Sequence, residues 1–127
     1  MTTMILALLL AAQATEPPAP PPPLTQWPVL APLPWRSPPV LAPGMTSFVA
    51  GEVKEGRCPV ARPGRVALDL VVQVERPGRI RQVVPQAIGC PTVEQYAAGL
   101  VTGFARNNLR GASPGWYRVA VTFTLLG

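Results

Sequence analysis

In the second half of the chain, apolar and polar residues alternate in stretches that predict β-strands. The first stretch places every second residue on one apolar face, which is the period of a half-buried strand; these residues are Val66, Leu68, Leu70, Val72 and Val74. Arg76-Pro77-Gly78-Arg79 then predicts a tight turn, because proline presets the first central position and glycine accepts a positive φ. Residues 80–84 continue as a second, antiparallel strand.

A helix and a third strand follow. The helix is predicted by apolar residues on a 3.6-residue period, namely Val93, Tyr96, Ala97, Leu100, Val101 and Phe104. Thr92 and Gln95 have the spacing of a capping box at its start, and Asn107 and Asn108 suit a left-handed exit at its end. The third strand alternates again, with an apolar face of Tyr117, Val119, Val121, Phe123 and Leu125.

The element lengths predict the topology. A helix of roughly 15 residues runs about 22 Å and carries the chain back along strand two. We therefore expect an α+β fold: a small ββαβ domain with a three-stranded antiparallel sheet, order 2-1-3, and one helix packed on one face. Strand three is then an edge with unpaired main-chain groups, a template for an added strand. The candidate peptide-binding residues on it are Arg118, Ala120, Thr122 and Thr124.

These motifs together resemble one known family. The pattern Gly64-x-Val66-x-Leu68-x-Leu70-x-Val72 is followed by a Pro-Gly turn, a helix with Ala97-Ala98 and a final Val119-x-Val121-x-Phe123. With the lead-in Pro59-Val60-Ala61-Arg62, and Cys58 where a tyrosine is usual, residues 58–127 resemble the C-terminal domain of TonB-type energy transducers (TonB/TolA-like). The resemblance implies that strand addition captures a segment near the N-terminus of an outer-membrane receptor.

The first 44 residues differ in composition from the rest. Residues 1–14 contain a short apolar run before Ala12-Gln13-Ala14, a pattern typical of a cleaved signal peptide. The run is too short for a stable membrane span; an uncleaved buried segment is the alternative. We expect export to the periplasm, a proline-rich arm over residues 15–44, and a TonB-like domain over residues 45–127.

The arm is predicted to be extended polyproline II, because 12 of the 18 prolines fall within it. It carries a repeated Pro-Val-Leu-Ala-Pro at residues 28–32 and 39–43, with Trp27 and Trp35 nearby. The tryptophans either belong to a spacer or dock on the domain or on a partner. After the arm, residues 45–53 form either a short strand or an irregular lead-in.

Cys58 and Cys90 are the only cysteines. In an exported chain an even pair predicts a disulfide, and two free buried thiols are the alternative. The spacing does not suggest a catalytic dithiol, which is usually C-x-x-C.

The residue inventory argues against an enzyme. The chain has no histidine, which excludes Ser-His and Cys-His nucleophile pairs and histidine metal sites. We expect no cofactor and no metal. The net charge of +5 comes from scattered arginines without stacking aromatics, so nucleic-acid binding is not expected.

Two functional interpretations remain. The first is a periplasmic module that binds a receptor segment or other envelope protein by strand addition, with a link to outer-membrane transport. The second is a structural or accessory envelope protein with the same fold, a stabilising disulfide and no energy coupling. An exposed edge strand also permits a homodimer by edge pairing.

Overall fold

The domain is built on the three-stranded antiparallel sheet that the sequence predicts. It is seen in a computed structural model that describes residues 19–59, 62–76 and 79–125. The strands span β1 Arg65–Arg76, β2 Arg79–Pro85 and β3 Gly115–Thr124. β1 lies in the middle and pairs antiparallel with both neighbours, which confirms the order 2-1-3. The predicted turn residues Pro77 and Gly78 lie outside the described residues, and the strand residues on either side of them are paired.

Two α-helices accompany the sheet, α1 Pro43–Lys54 and α2 Pro91–Ala105. α2 is the predicted crossover helix, and its exit is left-handed at Asn107, with φ 55°. It covers the face of the sheet that carries the alternating apolar residues of β1, all of which are buried. The main core therefore lies between α2 and this face, as the alternation predicts.

The buried face of α2 is rotated slightly from the predicted stripe. Its buried residues are Val93, Ala97, Ala98, Val101 and Ala105. Tyr96, Leu100 and Phe104 were predicted to be core residues, but they are half-buried at the rim. Small alanines on the central line let the helix approach the sheet closely, which moves the larger side chains to the sides.

The predicted capping box at the start of α2 is wrong. The helix begins at Pro91, so Thr92 already lies inside the first turn. The cap is supplied by Glu94, whose Oε2 accepts hydrogen bonds from the amides of Ile88 (3.0 Å) and Cys90 (2.9 Å). Proline at the first helical position moves the start upstream, and a carboxylate is a strong acceptor for the free amides there.

α1 corrects the prediction for residues 45–53, which form neither a strand nor an irregular lead-in. Pro43 at the first helical position starts the helix, and Val49 is fully buried. Phe48 stacks on Tyr96 of α2, with ring centroids 4.4 Å apart. The spacing of Met45, Phe48 and Val49 carried a helical signal, which the glycines and the acidic Glu52 weakened.

The predicted disulfide joins the end of the α1 region to the start of α2. Cys58 and Cys90 are bonded, with Cα atoms 4.7 Å apart, and both are buried. The alternative of two free thiols does not apply. The bond anchors α1 to the core beside the capped end of α2.

The proline arm folds back across the second face of the sheet, the face opposite α2. At one end the carbonyl of Ala19 accepts from Gln82 Nε2 of β2 (2.9 Å). At the other end the carbonyl of Leu30 accepts from Arg118 Nε of β3 (2.9 Å). Between these points the arm forms a 3₁₀ helix, Leu24–Val29, where extended polyproline II was predicted.

The arm and β1 each bury one further apolar side chain, Trp27 and Val71. Val71 of β1 faces away from α2 and is fully buried, and Trp27 is 6% exposed. Both lie outside the main core cluster. Of the two interpretations of the tryptophans, docking on the domain is the one that the structure shows.

Within the part of the chain that the structure describes, no helix has the length and apolar character needed to cross a bilayer. The expected signal peptide, residues 1–14, lies outside the described residues.

Candidate functional site

The four predicted site residues lie along β3, the edge strand beside β1. They are all exposed: Arg118, Ala120, Thr122 and Thr124. They alternate with residues that face the helices, among which Val119 and Phe123 are buried. The alternation follows from the period of a strand, so β3 presents one face to the main core and one to the arm and solvent.

The main-chain groups of these four residues point away from β1. Arg118 shows the direction, because its amide donates to the carbonyl of Ala31 (2.9 Å) and its carbonyl accepts from the amide of Leu33 (3.0 Å). The pairing of β3 with β1 runs without a bulge, and main-chain groups of alternate residues in a strand point the same way. The other three predicted residues therefore also direct their amides and carbonyls outwards.

At Arg118 the edge is already occupied by the arm. Pro32 forms a parallel bridge with Arg118, and both main-chain bonds come from its neighbours Ala31 and Leu33. This arrangement suits proline, which has no amide hydrogen to donate. Leu33 then places its side chain in the main core, where it is 4% exposed. The arm thus adds a short strand to β3 at one end of the predicted site.

The arm leaves the edge directly after this bridge. The amide of Trp35 donates to the carbonyl of Leu33 (3.0 Å), so neither group reaches β3. Trp35 forms a bridge with Leu109 instead, in the loop after α2. The next arm residues beside β3 are Pro38 and Pro39, which have no amide hydrogen. The departure of the arm therefore leaves the rest of the edge unpaired.

The unpaired part of the edge comprises Ala120, Thr122 and Thr124. Among residues 19–59, 62–76 and 79–125, no group bonds to their outward amides or carbonyls. These unpaired amides and carbonyls can donate hydrogen bonds to an extended chain and accept hydrogen bonds from it. The sequence places the side chains of these residues on the face opposite the core, and their role in binding remains a prediction.

A cavity of about 300 Å³ lies beside this unpaired part, on the side of α2. Leu100 and Phe104 of α2 form its inner wall, and Trp35 and Leu41 of the arm contribute to its outer wall. These rim residues of α2 were assigned to the core by sequence analysis. The sequence contains one indication that the arm forms part of the cavity wall. Its prolines alternate with apolar residues, a pattern that allows an extended chain to bury its side chains.

A group of ionised side chains surrounds Glu52 between α1 and α2. Its Oε2 accepts from Arg57 Nε (2.8 Å) and lies 2.6 Å from Arg57 Nη2, while its Oε1 accepts from the hydroxyl of Thr92. The hydrogen bond from Arg57, and after it the bond from Thr92, lowers the pKa of Glu52 from its ordinary value. An ionised carboxylate held by two donors links α1 to α2 and offers no proton for catalysis at neutral pH.

The described residues contain no group of three or more side chains that could hold a metal ion. No protein-family model, no curated protein and no solved structure matches the chain. The fold and the β3 edge are therefore the grounds on which a function can be argued.

Proposed function

We propose that this protein is a periplasmic peptide-binding module of the TonB-like type. It binds an extended segment of an outer-membrane receptor or another envelope protein by adding that segment as a strand to β3. The observation that carries the proposal is the outward-facing, unpaired main chain of Ala120, Thr122 and Thr124. Periplasmic location rests on the signal peptide expected at residues 1–14.

The energetics suit reversible binding. A main-chain hydrogen bond contributes a net stabilisation of roughly 0.5–1.5 kcal/mol, and three outward-facing residues offer several such bonds. The threonine side chains lie on the second face, where they can contact alternate side chains of the ligand. The arm supports the proposal from within the chain, because its bridge at Arg118 is a strand addition to the same edge.

The experiment is a titration of isotope-labelled protein with synthetic peptides copied from the N-terminal segments of outer-membrane receptors. We expect amide shifts confined to residues 116–125. Thr122→Pro removes an outward donor and should abolish binding, whereas Thr122→Ala keeps that donor and should retain most of it. Circular dichroism must first show that the proline variant is folded. No shifts with any peptide at millimolar concentration would contradict the proposal.

The second candidate is a structural or accessory envelope protein that binds no foreign peptide. The observation that favours it is the occupation of the edge at Arg118 by the protein's own arm. In this case the arm covers the edge of β3 against other chains, and the peptide titration leaves the chemical shifts of the β3 amides unchanged.

A further inference from the structure

The cavity beside β3 begins where the strand formed by the arm ends. Leu33 is the last arm residue in register with the edge, and Val119, beside it on β3, faces the same main core. One step further along the edge, the unpaired residues Ala120 and Thr122 border the cavity. A chain that continued along β3 would therefore pass directly over the opening.

Leu33 is an example of a residue that pairs with β3 and directs its side chain towards α2. Its amide bonds to β3 and its side chain is 4% exposed in the main core. Alternate residues of an added strand point to the same face. The next residue of that orientation in an added segment, beside Val121, would direct its side chain into the cavity.

The walls of the cavity select for apolar groups. Trp35, Leu41, Leu100 and Phe104 surround it, and among the described residues that line it Thr122 is the only polar one. No lining residue within 19–59, 62–76 and 79–125 is charged, so a charged side chain placed inside would lose water without gaining a partner there. A volume of about 300 Å³ accepts a side chain as large as leucine or phenylalanine.

The geometry points to a specificity pocket: the segment that binds β3 carries a large apolar side chain that fills this cavity. The inference rests on the proposed function, since it needs a strand on the free edge. It adds the chemical class of the partner, an extended peptide with leucine or an aromatic residue at the position beside Val121. Main-chain bonds alone would accept any sequence, whereas the cavity distinguishes between sequences.

The test uses capped peptides Thr-X-Thr-Thr-Thr, in which X is Ala, Leu, Phe or Lys; they span the free edge from Ala120 to Thr124 and are titrated into the labelled full chain. We expect the Leu and Phe peptides to bind about tenfold or more tightly than the Ala peptide, because they bury more apolar area. The Lys peptide should bind no more tightly than the Ala peptide. All bound peptides should shift the amides of Ala120, Thr122 and Thr124.

A pair of variants on α2 locates the pocket. Leu100→Trp fills the cavity and should reduce the preference for Leu over Ala to about twofold or less, while the Ala peptide still shifts the edge amides. Gln95→Trp places the same side chain on an exposed part of the same helix and should keep the preference. Circular dichroism of both variants checks the fold.

The failures are distinguishable. Equal affinity for all four peptides, with shifts at the edge, would overturn the pocket and leave the proposed function standing. No edge shift with any peptide would overturn both. Shifts of Leu100 and Phe104 without edge shifts would mark a site for free apolar molecules and overturn the peptide assignment. Edge shifts that depend on protein concentration alone would show that a second copy occupies the edge, which also overturns it.

Discussion

Glu52 is the buried charged residue of the described chain, and its environment connects three segments. Its carboxylate accepts hydrogen bonds from Arg57, just after α1, and from Thr92 in the first turn of α2. Arg57 also contacts Glu55, with Nη1 and Oε2 2.6 Å apart. Because these donors favour the ionised form, the pKa of Glu52 lies below its ordinary value.

The first prediction concerns the pH dependence of folding. A carboxylate with a lowered pKa in the folded state stabilises the protein fully above its unfolded pKa, and this stabilisation is lost as the pH falls through the folded pKa. Glu52→Gln should therefore lower the free energy of unfolding at neutral pH and flatten its decrease as the pH falls below about 4.5, the ordinary pKa of a glutamate. Urea titrations across this range provide the measurement.

Glu55→Gln is the matched control, because its side chain is 61% exposed against 8% for Glu52. An exposed ion pair contributes little, so this variant should keep the acid dependence of the native protein. Identical pH profiles for the Glu52→Gln variant and the native protein would contradict the role assigned to Glu52.

At the scale of elements, α2 gives the second prediction. Val101 is 2% exposed against the sheet, while its neighbour Thr102 is exposed. Val101→Ala should lower the free energy of unfolding by about 2 kcal/mol, since it removes buried carbon atoms. Thr102→Ala should change it by about 0.5 kcal/mol or less. Denaturant titrations that give equal effects would show that the buried face of α2 is assigned wrongly.

The arm gives the third prediction. Trp27 is 6% exposed on the second face, whereas Leu24, in the same 3₁₀ helix, is 54% exposed. Trp27→Ala should cost about 3–5 kcal/mol, the usual range for a buried aromatic residue, and should shift the amide of Val71. Leu24→Ala should have a small effect on the free energy of unfolding and on the chemical shift of the Val71 amide. An unchanged unfolding midpoint for Trp27→Ala would mean that the arm contributes nothing to the stability of the domain.

The elements that the sequence predicts correctly are those in which a single periodicity of apolar residues dominates. The alternation of β1 and β3 and the period of α2 are strong because each buries one whole face, and these three elements with β2 determine the strand order. The sequence does not predict α1 because Glu52 interrupts its apolar stripe. The buried carboxylate is stabilised by Arg57, five residues later, and by Thr92, 40 residues later. The docking of the arm was left open because polyproline segments carry no periodic signal.

In the candidate site, too, the features that depend on local periodicity are predictable and those that depend on contacts between distant segments are not. Alternation along β3 identifies the side chains that face away from the core, whereas the direction of the main-chain groups depends on the register with β1, which alternation alone does not determine. The occupation of Arg118 was not predictable, because it depends on Pro32 reaching a strand 86 positions later in the chain. The cavity depends on where the arm leaves the edge, which local sequence does not determine.

For the whole molecule, the Cys58–Cys90 bond gives the fourth prediction. It closes a sequence separation of 32 residues, and constraining such a loop in the unfolded chain stabilises the fold by roughly 2–4 kcal/mol. Cys58→Ala combined with Cys90→Ala should lower the free energy of unfolding by this amount. A thiol-labelling assay on unreduced, denatured protein should find no free thiol. Two labelled cysteines, or a midpoint unaffected by reductant, would contradict the prediction.

The prolines of the arm have a consequence for the time course of folding. Every peptide bond among the described residues is trans, while each X–Pro bond of an unfolded chain is cis in about 10–30% of molecules. With ten prolines between residues 19 and 43, only about a tenth of unfolded chains start with all of them trans. The pairing of β1 with β2 and β3 involves none of these prolines, whereas docking of the arm waits for isomerisation over tens to hundreds of seconds. Most refolding molecules therefore pass through an interval in which the whole length of β3, Arg118 included, is open to other chains.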